Sequence, residues 1–307
     1  MKRLTHWQNL SAQDRGASVA MGNFDGVHRG HCSLLDLAKA EGGPTGVVTF
    51  EPHPRQYFSA GGESFRLMDA ETRAGVLAAE GIELVYELPF TELAALSAED
   101  FVREVLVEGL GVRHVVVGDD FTFGSKRSGS TELLKTLGAR YGFGVTVARK
   151  LCDVDGVISS TAIRAALTAG DPRKAARLLG HWHRFEGPVI HGEKRGRELG
   201  FPTANMAVEG LHLPKLGVYA VRVEVLEGPH KGLYSGAASL GVRPMFGENT
   251  PNLETYLMDF KGDLYGTRLS VSLVDYLRGE VKFTTLPALI EQMARDCEDA
   301  RRSLAVA

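Results

Sequence analysis

Up to about residue 180 the chain alternates short valine-rich runs with amphipathic stretches, and this alternation constrains the fold more than any other feature. Ala17–Met21, Gly46–Phe50, Leu84–Leu88, His114–Gly118 and Gly144–Ala148 are short, apolar and bounded by Gly or Pro, the pattern of buried strands. Helical patterns near Ser33–Ala40, Asp69–Ala79, Ala98–Gly109 and Thr131–Tyr141 lie between them. Strands alternating with helices predict an α/β domain: a Rossmann-like parallel sheet with helices on both faces. Ligands of such sheets bind beyond the carboxyl ends of the strands, here the turns after Met21 and after Gly118. The texture changes near Gly180–Gly187. Arg184–His191, Val218–Leu226, Leu233–Leu240, Leu253–Phe260 and Arg268–Val274 read as strands punctuated by Gly and Pro, an antiparallel β-barrel. Leu286, Leu289, Ile290, Met293, Ala294, Cys297 and Ala300 then form one apolar stripe of a terminal α-helix, expected to pack on the barrel. Two domains are expected, at 1–182 and 183–307.

The 307 residues carry 35 Lys and Arg against 38 Asp and Glu, a net charge of -3, so no global attraction to nucleic acid is expected. Three widely spaced cysteines have neither disulfide-framework nor metal-ligand spacing. No run approaches the roughly 18 apolar residues of a membrane span, and Met1-Lys2-Arg3-Leu4 leads into polar sequence rather than a signal peptide. The expected compartment is the reducing cytoplasm. The oligomeric state is left open.

Four segments carry chemistry. In Gly22-Asn23-Phe24-Asp25-Gly26-Val27-His28-Arg29-Gly30-His31, two histidines flank a glycine at a strand-to-helix turn. Helix N-terminal amides attract phosphate there, and paired imidazoles stabilise charge on a phosphorus under attack. In Ile158-Ser159-Ser160-Thr161-Ala162-Ile163-Arg164, Ser160 or Thr161 caps a helix, and three hydroxyls with an Arg one turn in suit a triphosphate tail. Gly192-Glu193-Lys194-Arg195-Gly196-Arg197-Glu198-Leu199-Gly200-Phe201-Pro202-Thr203-Ala204-Asn205 is a glycine-rich basic loop entering an extended segment. Residues i and i+2 share a side there, so Thr203 and Asn205 offer neutral oxygens to one hard cation, Mg²⁺. A plain Gly/Pro turn with surface charge is the competing reading. Glu254 lies in a strand pattern. Facing solvent it is inert, and facing a cleft it accepts a proton from an attacking hydroxyl. Gly124 to Thr131 has P-loop glycine spacing, but Ser130 stands where the lysine is required, so the motif fails.

In this order the segments resemble the bacterial bifunctional riboflavin kinase/FMN adenylyltransferase (FAD synthetase) family. Phe50-Glu51-Pro52-His53-Pro54, Gly118-Asp119-Asp120-Phe121, Gly217-Val218-Tyr219, Gly241-Val242-Arg243-Pro244 and Asp263-Leu264-Tyr265-Gly266 also match, so the resemblance spans nearly the whole chain. It implies an N-terminal nucleotidyltransferase domain and a C-terminal riboflavin kinase barrel. His28 and His31 would act on the ATP phosphates. Gly22, Asn23, Phe24, Gly30, Ser160, Thr161, Arg164, Gly196 and Arg197 would bind ATP or phosphate. Asp25, Asp119 and Tyr219 would contact flavin. Thr203 and Asn205 would hold Mg²⁺, and Glu254 would be the general base. Three positions depart from the family pattern: Thr122, Met245 and Val157.

The implied chemistry is riboflavin plus ATP to FMN, then FMN plus a second ATP to FAD and pyrophosphate. ATP is the co-substrate, FMN and FAD are products, and neither nucleic acid nor membrane is a partner. Two other readings stand beside it: a nucleotidyltransferase with a different acceptor, and a non-catalytic flavin or nucleotide binder.

Overall fold

The computed structural model describes residues 1–59, 64–192, 199–245 and 248–306, without the side chains of 243–250. Gly196 and Arg197 therefore lie outside the described residues, as does the Met245 side chain. The chain forms two compact units. The first is Met1–Gly62 with Asp69–Ser159, and the second is Glu63–Met68 with Ser160–Ala307.

The first unit holds six parallel strands: β1 (Lys2–Leu4), β2 (Ser18–Met21), β3 (Thr45–Glu51), β4 (Leu84–Pro89), β5 (His114–Gly118) and β6 (Gly144–Ala148). Their order is β1-β4-β3-β2-β5-β6. The connections run outward from β2 in one direction through β3 and β4, and in the other through β5 and β6. The reversal opens a crevice beyond Met21 and Gly118, where such sheets bind ligands. Helices α1 (Arg29–Ala40), α2 (Ala70–Ala79) and α3 (Thr131–Tyr141) connect the strands, with a π-helix at Phe101–Gly109 in place of the expected α-helix. Every residue of β2 is buried because both faces of the sheet are covered, which explains its unbroken apolar run. The edge strand β1 was not foreseen. It has three residues, too few for a periodic signal, and its Lys2 and Arg3 pair with Asp14 and with Glu71 and Glu87. A two-stranded ribbon, β7 (Cys152–Asp153) with β8 (Gly156–Val157), completes this unit.

Beyond its short first segment, the second unit continues with α4 (Ser160–Ala169) and α5 (Pro172–Leu179). Six antiparallel strands follow: β9 (Arg184–Pro188), β10 (Thr203–Ala207), β11 (Gly217–Val225), β12 (Gly232–Met245), β13 (Glu248–Leu257) and β14 (Arg268–Arg278), in the order β10-β13-β12-β11-β14-β9. An isolated bridge, Ile190 to Asn205, brings the two ends together, so the sheet is a nearly closed barrel. Along each strand, alternate residues fill the interior, among them Tyr219, Val221, Leu253 and Leu257. Helix α6 (Leu286–Ala305) lies on the outside, where Cys297 and Ala300 meet the small side chains of Ala220 and Ala237.

Candidate active sites

The turn after β2 is built to hold its two histidines. His28 caps α1, and its Nδ1 accepts the backbone N–H of His31 at 3.2 Å. The rings stack at 3.6 Å between centroids, 15° from parallel. Gly30 makes this possible, because a Cβ there would lie 3.1 Å from the His28 ring and 3.4 Å from the Ile158 carbonyl. The same contact brings the segment before Ser160 against the histidine turn. The His31 Nδ1 is enclosed, with no hydrogen-bond partner among the described residues. Burial, then the neighbouring His28, hold its pKa well below the usual imidazole value, so the ring is neutral at neutral pH. It therefore acts as a hydrogen-bonding group beside the α1 N-terminus rather than as a fixed cation.

Phe24 is fully buried with its ring 4.9 Å from that of His31, a wedge behind the histidine. Phe24 and Val27 adopt φ of 51° and 40°, a left-handed backbone that costs a non-glycine residue about 1–3 kcal/mol. Something must hold the turn against that strain, and Arg73 of α2 does so. Its guanidinium, 1% exposed, reaches the Asn23 carbonyl at 3.4 Å and pairs with Glu51 at 2.8 Å and Glu87 at 2.7 Å. The Thr49 hydroxyl donates to the same carbonyl at 3.2 Å. Arg73 was missed by sequence reasoning. Its signal is indirect: Glu87 sits inside an apolar strand run, and a buried carboxylate requires a buried partner.

Of the remaining expected residues, Asp25 is buried and Asp119 is exposed beyond β5. Ser160 opens α4, so the cap position falls to Ser159, and Thr161 and Arg164 follow within the first turns. These three belong to the second compact unit. Thr122, a departure from the family pattern, accepts Nε of Arg127 at 2.9 Å, and Val157 is exposed in β8.

The second site is a cavity of about 340 Å³ between the outer barrel face and α6. Thr203, Ser239, Glu254 and Tyr256 line it, with Leu289, Met293 and Cys297 from the helix. Glu254 thus faces the cavity: in the strand alternation, Leu253, Thr255 and Leu257 point inward and Glu254 points out. Asn205 is its cross-strand partner, and Thr203 stands opposite Tyr256. Asn205 is 6% exposed and fixed, its Oδ1 accepting from Asn252 at 3.1 Å and its Nδ2 donating to the Thr203 carbonyl at 3.4 Å. Gly192 leaves room for this amide, since a Cβ there would come within 2.4 Å. The apolar stripe of α6 divides. Cys297 and Ala300 pack on the barrel as expected and Leu289 and Met293 wall the cavity, but Leu286, Ile290 and Ala294 are exposed, because only the C-terminal part of the helix lies against the small residues of the barrel. Arg278 of β14 holds the helix there by a two-pronged pair with Asp296, at 2.7 and 2.6 Å. Tyr219 stands elsewhere, fully buried in the barrel interior with its hydroxyl on the Lys215 carbonyl at 2.5 Å.

Among the described residues, no group of three or more His, Cys, Asp or Glu could hold a metal ion. A neutral amide and hydroxyl beside a carboxylate, with space kept by a glycine, nonetheless fit Mg²⁺ that arrives with nucleotide phosphates. No described helix is long and apolar enough to cross a membrane.

A histidine turn at the switch point of a parallel sheet and a barrel cavity faced by a carboxylate are the two places where this chain gathers reactive side chains, and similarity to known families gives the class, a two-part phosphate-transferring enzyme. Residues 10–162 match the family described as FAD synthetase, and residues 179–304 match the family described as riboflavin kinase. The bifunctional riboflavin kinase/FMN adenylyltransferase of Pseudomonas fluorescens is 42% identical over 95% of this chain and 94% of its own length. That of Escherichia coli K12 is 40% identical over 98% and 97%. A Streptococcus pneumoniae crystal structure, described as a macrolide-efflux protein, superposes with a TM-score of 0.84 at 30% identity over 98% of both chains. The chain belongs to the bifunctional riboflavin kinase/FMN adenylyltransferase family.

Proposed function

We propose that this chain makes FMN from riboflavin and ATP in its barrel, and FAD from FMN and a second ATP in its α/β part. Functionally we assign 1–182 to adenylyl transfer and 183–307 to phosphorylation. The observation that carries the reading is the cavity wall, where Glu254 and Thr203 face one space and Asn205 is locked beside them.

In the first reaction the riboflavin 5′-hydroxyl attacks the γ-phosphorus of ATP. Glu254 accepts the hydroxyl proton, and positioning supplies much of the rate. Thr203 Oγ1 and Asn205 Oδ1 would hold Mg²⁺ together with nucleotide oxygens; when bound, the ion neutralises charge on the transferred phosphoryl group. The apolar wall from Leu289 and Met293 suits a flat isoalloxazine. In the second reaction the FMN phosphate, already an anion, attacks the α-phosphorus and pyrophosphate leaves. No strong base is needed. His28, His31 and the α1 amides stabilise the developing charge. Gly22, Asn23, Phe24 and Gly30 shape that turn, and Ser160, Thr161 and Arg164 bind the departing pyrophosphate. Asp25 and Asp119 are the flavin-side residues, while Tyr219, enclosed in the core, is not used as a flavin contact. A reducing cytoplasm suits three free cysteines, of which Cys32 and Cys297 have thiols raised to about 11 by burial.

The test is a time course of riboflavin, ATP and Mg²⁺ resolved by HPLC. FMN should rise first and FAD follow. Absence of either product from folded protein overturns the corresponding half.

A further inference from the structure

Within the second unit, three segments distant in sequence close into a ring of hydrogen bonds. The backbone N–H of His212 donates to the Arg66 carbonyl at 2.7 Å. Nε2 of His212 meets the Arg164 carbonyl at 3.2 Å and the Thr168 hydroxyl at 3.2 Å. The Arg164 guanidinium donates through Nη1 to the Phe65 carbonyl at 3.3 Å and lies 5.8 Å from the Phe65 ring centroid. Arg66 also bridges to Leu211. A carbonyl only accepts, so Nε2 carries the imidazole proton. Burial lowers the His212 pKa, in keeping with a neutral ring.

The ring joins both ends of Arg164 to one support. Its main chain is held by His212, and its side chain by Phe65, whose neighbour Arg66 is held by His212 in turn. A guanidinium is a rigid fork, so the Phe65 bond constrains its direction. We infer that His212 is a positioning residue for Arg164, through which the riboflavin kinase region tunes how the adenylyl-transfer reaction holds the ATP triphosphate. The inference rests on the reading of Arg164 as a triphosphate ligand. His212 lies within 179–304, the segment matching riboflavin kinase, whereas Phe65 and Arg66 lie within the segment matching FAD synthetase. A residue of one half thereby sets a kinetic constant of the other.

The experiment measures KM for ATP and kcat of FAD formation from supplied FMN in the full chain. The variants are His212→Phe, which keeps ring volume without the donor, His212→Asn, too short to reach, and His212→Gln, which restores an N–H. Arg164→Ala is the reference, and riboflavin phosphorylation with the melting temperature controls for folding. Loss of one hydrogen bond predicts a roughly two- to tenfold rise in KM for ATP in His212→Phe and His212→Asn, with kcat changed less. His212→Gln should recover most of the loss, and His212→Phe should add nothing to Arg164→Ala. An unchanged KM in Arg164→Ala overturns the ligand reading and the inference with it. A raised KM in Arg164→Ala with no rise in folded His212→Phe or His212→Asn, or a His212→Gln as impaired as these, overturns the inference alone.

Discussion

Replacing Gly192 by alanine tests the kinase site with one added carbon. The new methyl would lie 2.4 Å from Asn205 Nδ2, 2.6 Å from Cγ and 2.8 Å from Oδ1. Ordinary contact starts at 3.4 Å, so relief requires about 1 Å of movement (3.4 less 2.4). The amide is poorly placed to yield, being 6% exposed and tied to Asn252 at 3.1 Å. A displacement of about 1 Å at a positioning group costs roughly 100-fold in rate. Overpacking strain of about 1–3 kcal/mol should accompany it as a lower melting temperature. The assay is the initial rate of FMN formation from riboflavin, ATP and Mg²⁺. FAD formation from supplied FMN in the same preparation serves as the reference. Phosphorylation should fall about 100-fold and need more Mg²⁺, while FAD formation persists. If Gly192→Ala phosphorylates riboflavin within about twofold of the parent, Asn205 is not where phosphoryl transfer needs it, and the metal assignment fails with it.

His28→Ala should lower FAD formation by roughly 100- to 1000-fold and spare FMN formation. Glu254→Gln should do the reverse, by about 100- to 10,000-fold; loss of both activities in a folded variant would refute the separation of sites. Arg73→Met removes the buried cation that Glu51 and Glu87 share beside the strained turn and leaves Glu87 only its pair with the half-exposed Arg3, which should cost about 3 kcal/mol in urea denaturation. Adding Glu51→Gln and Glu87→Gln should recover much of that loss, and no recovery would mean that packing of the arginine stem is what matters. His183 is 2% exposed, and burial, then His212, push its pKa down to about 3. The unfolded chain protonates this group first as pH falls, so its contribution is intact above about 6.5 and declines toward 3. The decline reaches about 2 kcal/mol by pH 5. A His183→Phe variant should lose that part of the pH dependence of stability between pH 7 and 5, and an unaltered slope would show that His183 is not the titrating group.

What could be read along the chain, and what could not, follows from the range of the forces involved. Strand β5 was foreseen to the residue because Val115–Val117 is a buried apolar run that stops at Gly118, and the half-buried edge strand β6 because Gly144 opens it and Val145 and Val147 mark its extended pattern. The histidine turn was legible because its parts are local: a strand, a glycine, a cap and a helix within about ten residues. Glu254 marks the limit. Its residue type was chemically informative, but its side was decided only by the register of β13 against β10 and β12, set by residues about 50 and 15 positions away. Arg73 and His212 lie beyond that limit. Each holds its target through a backbone carbonyl, which every residue possesses and which leaves no trace in the residue alphabet, and only the Glu87 partner of Arg73 hints at it indirectly. Arg73 ties the Asn23 carbonyl across 50 positions, and His212 ties the Arg164 carbonyl across 48. Groups that react must be particular side chains, so they announce themselves. Groups that orient them need only a donor in the right place, which many side chains supply. The test of such a group is therefore whether a different side chain with the same donor restores the constant that was lost, as Gln should at position 212.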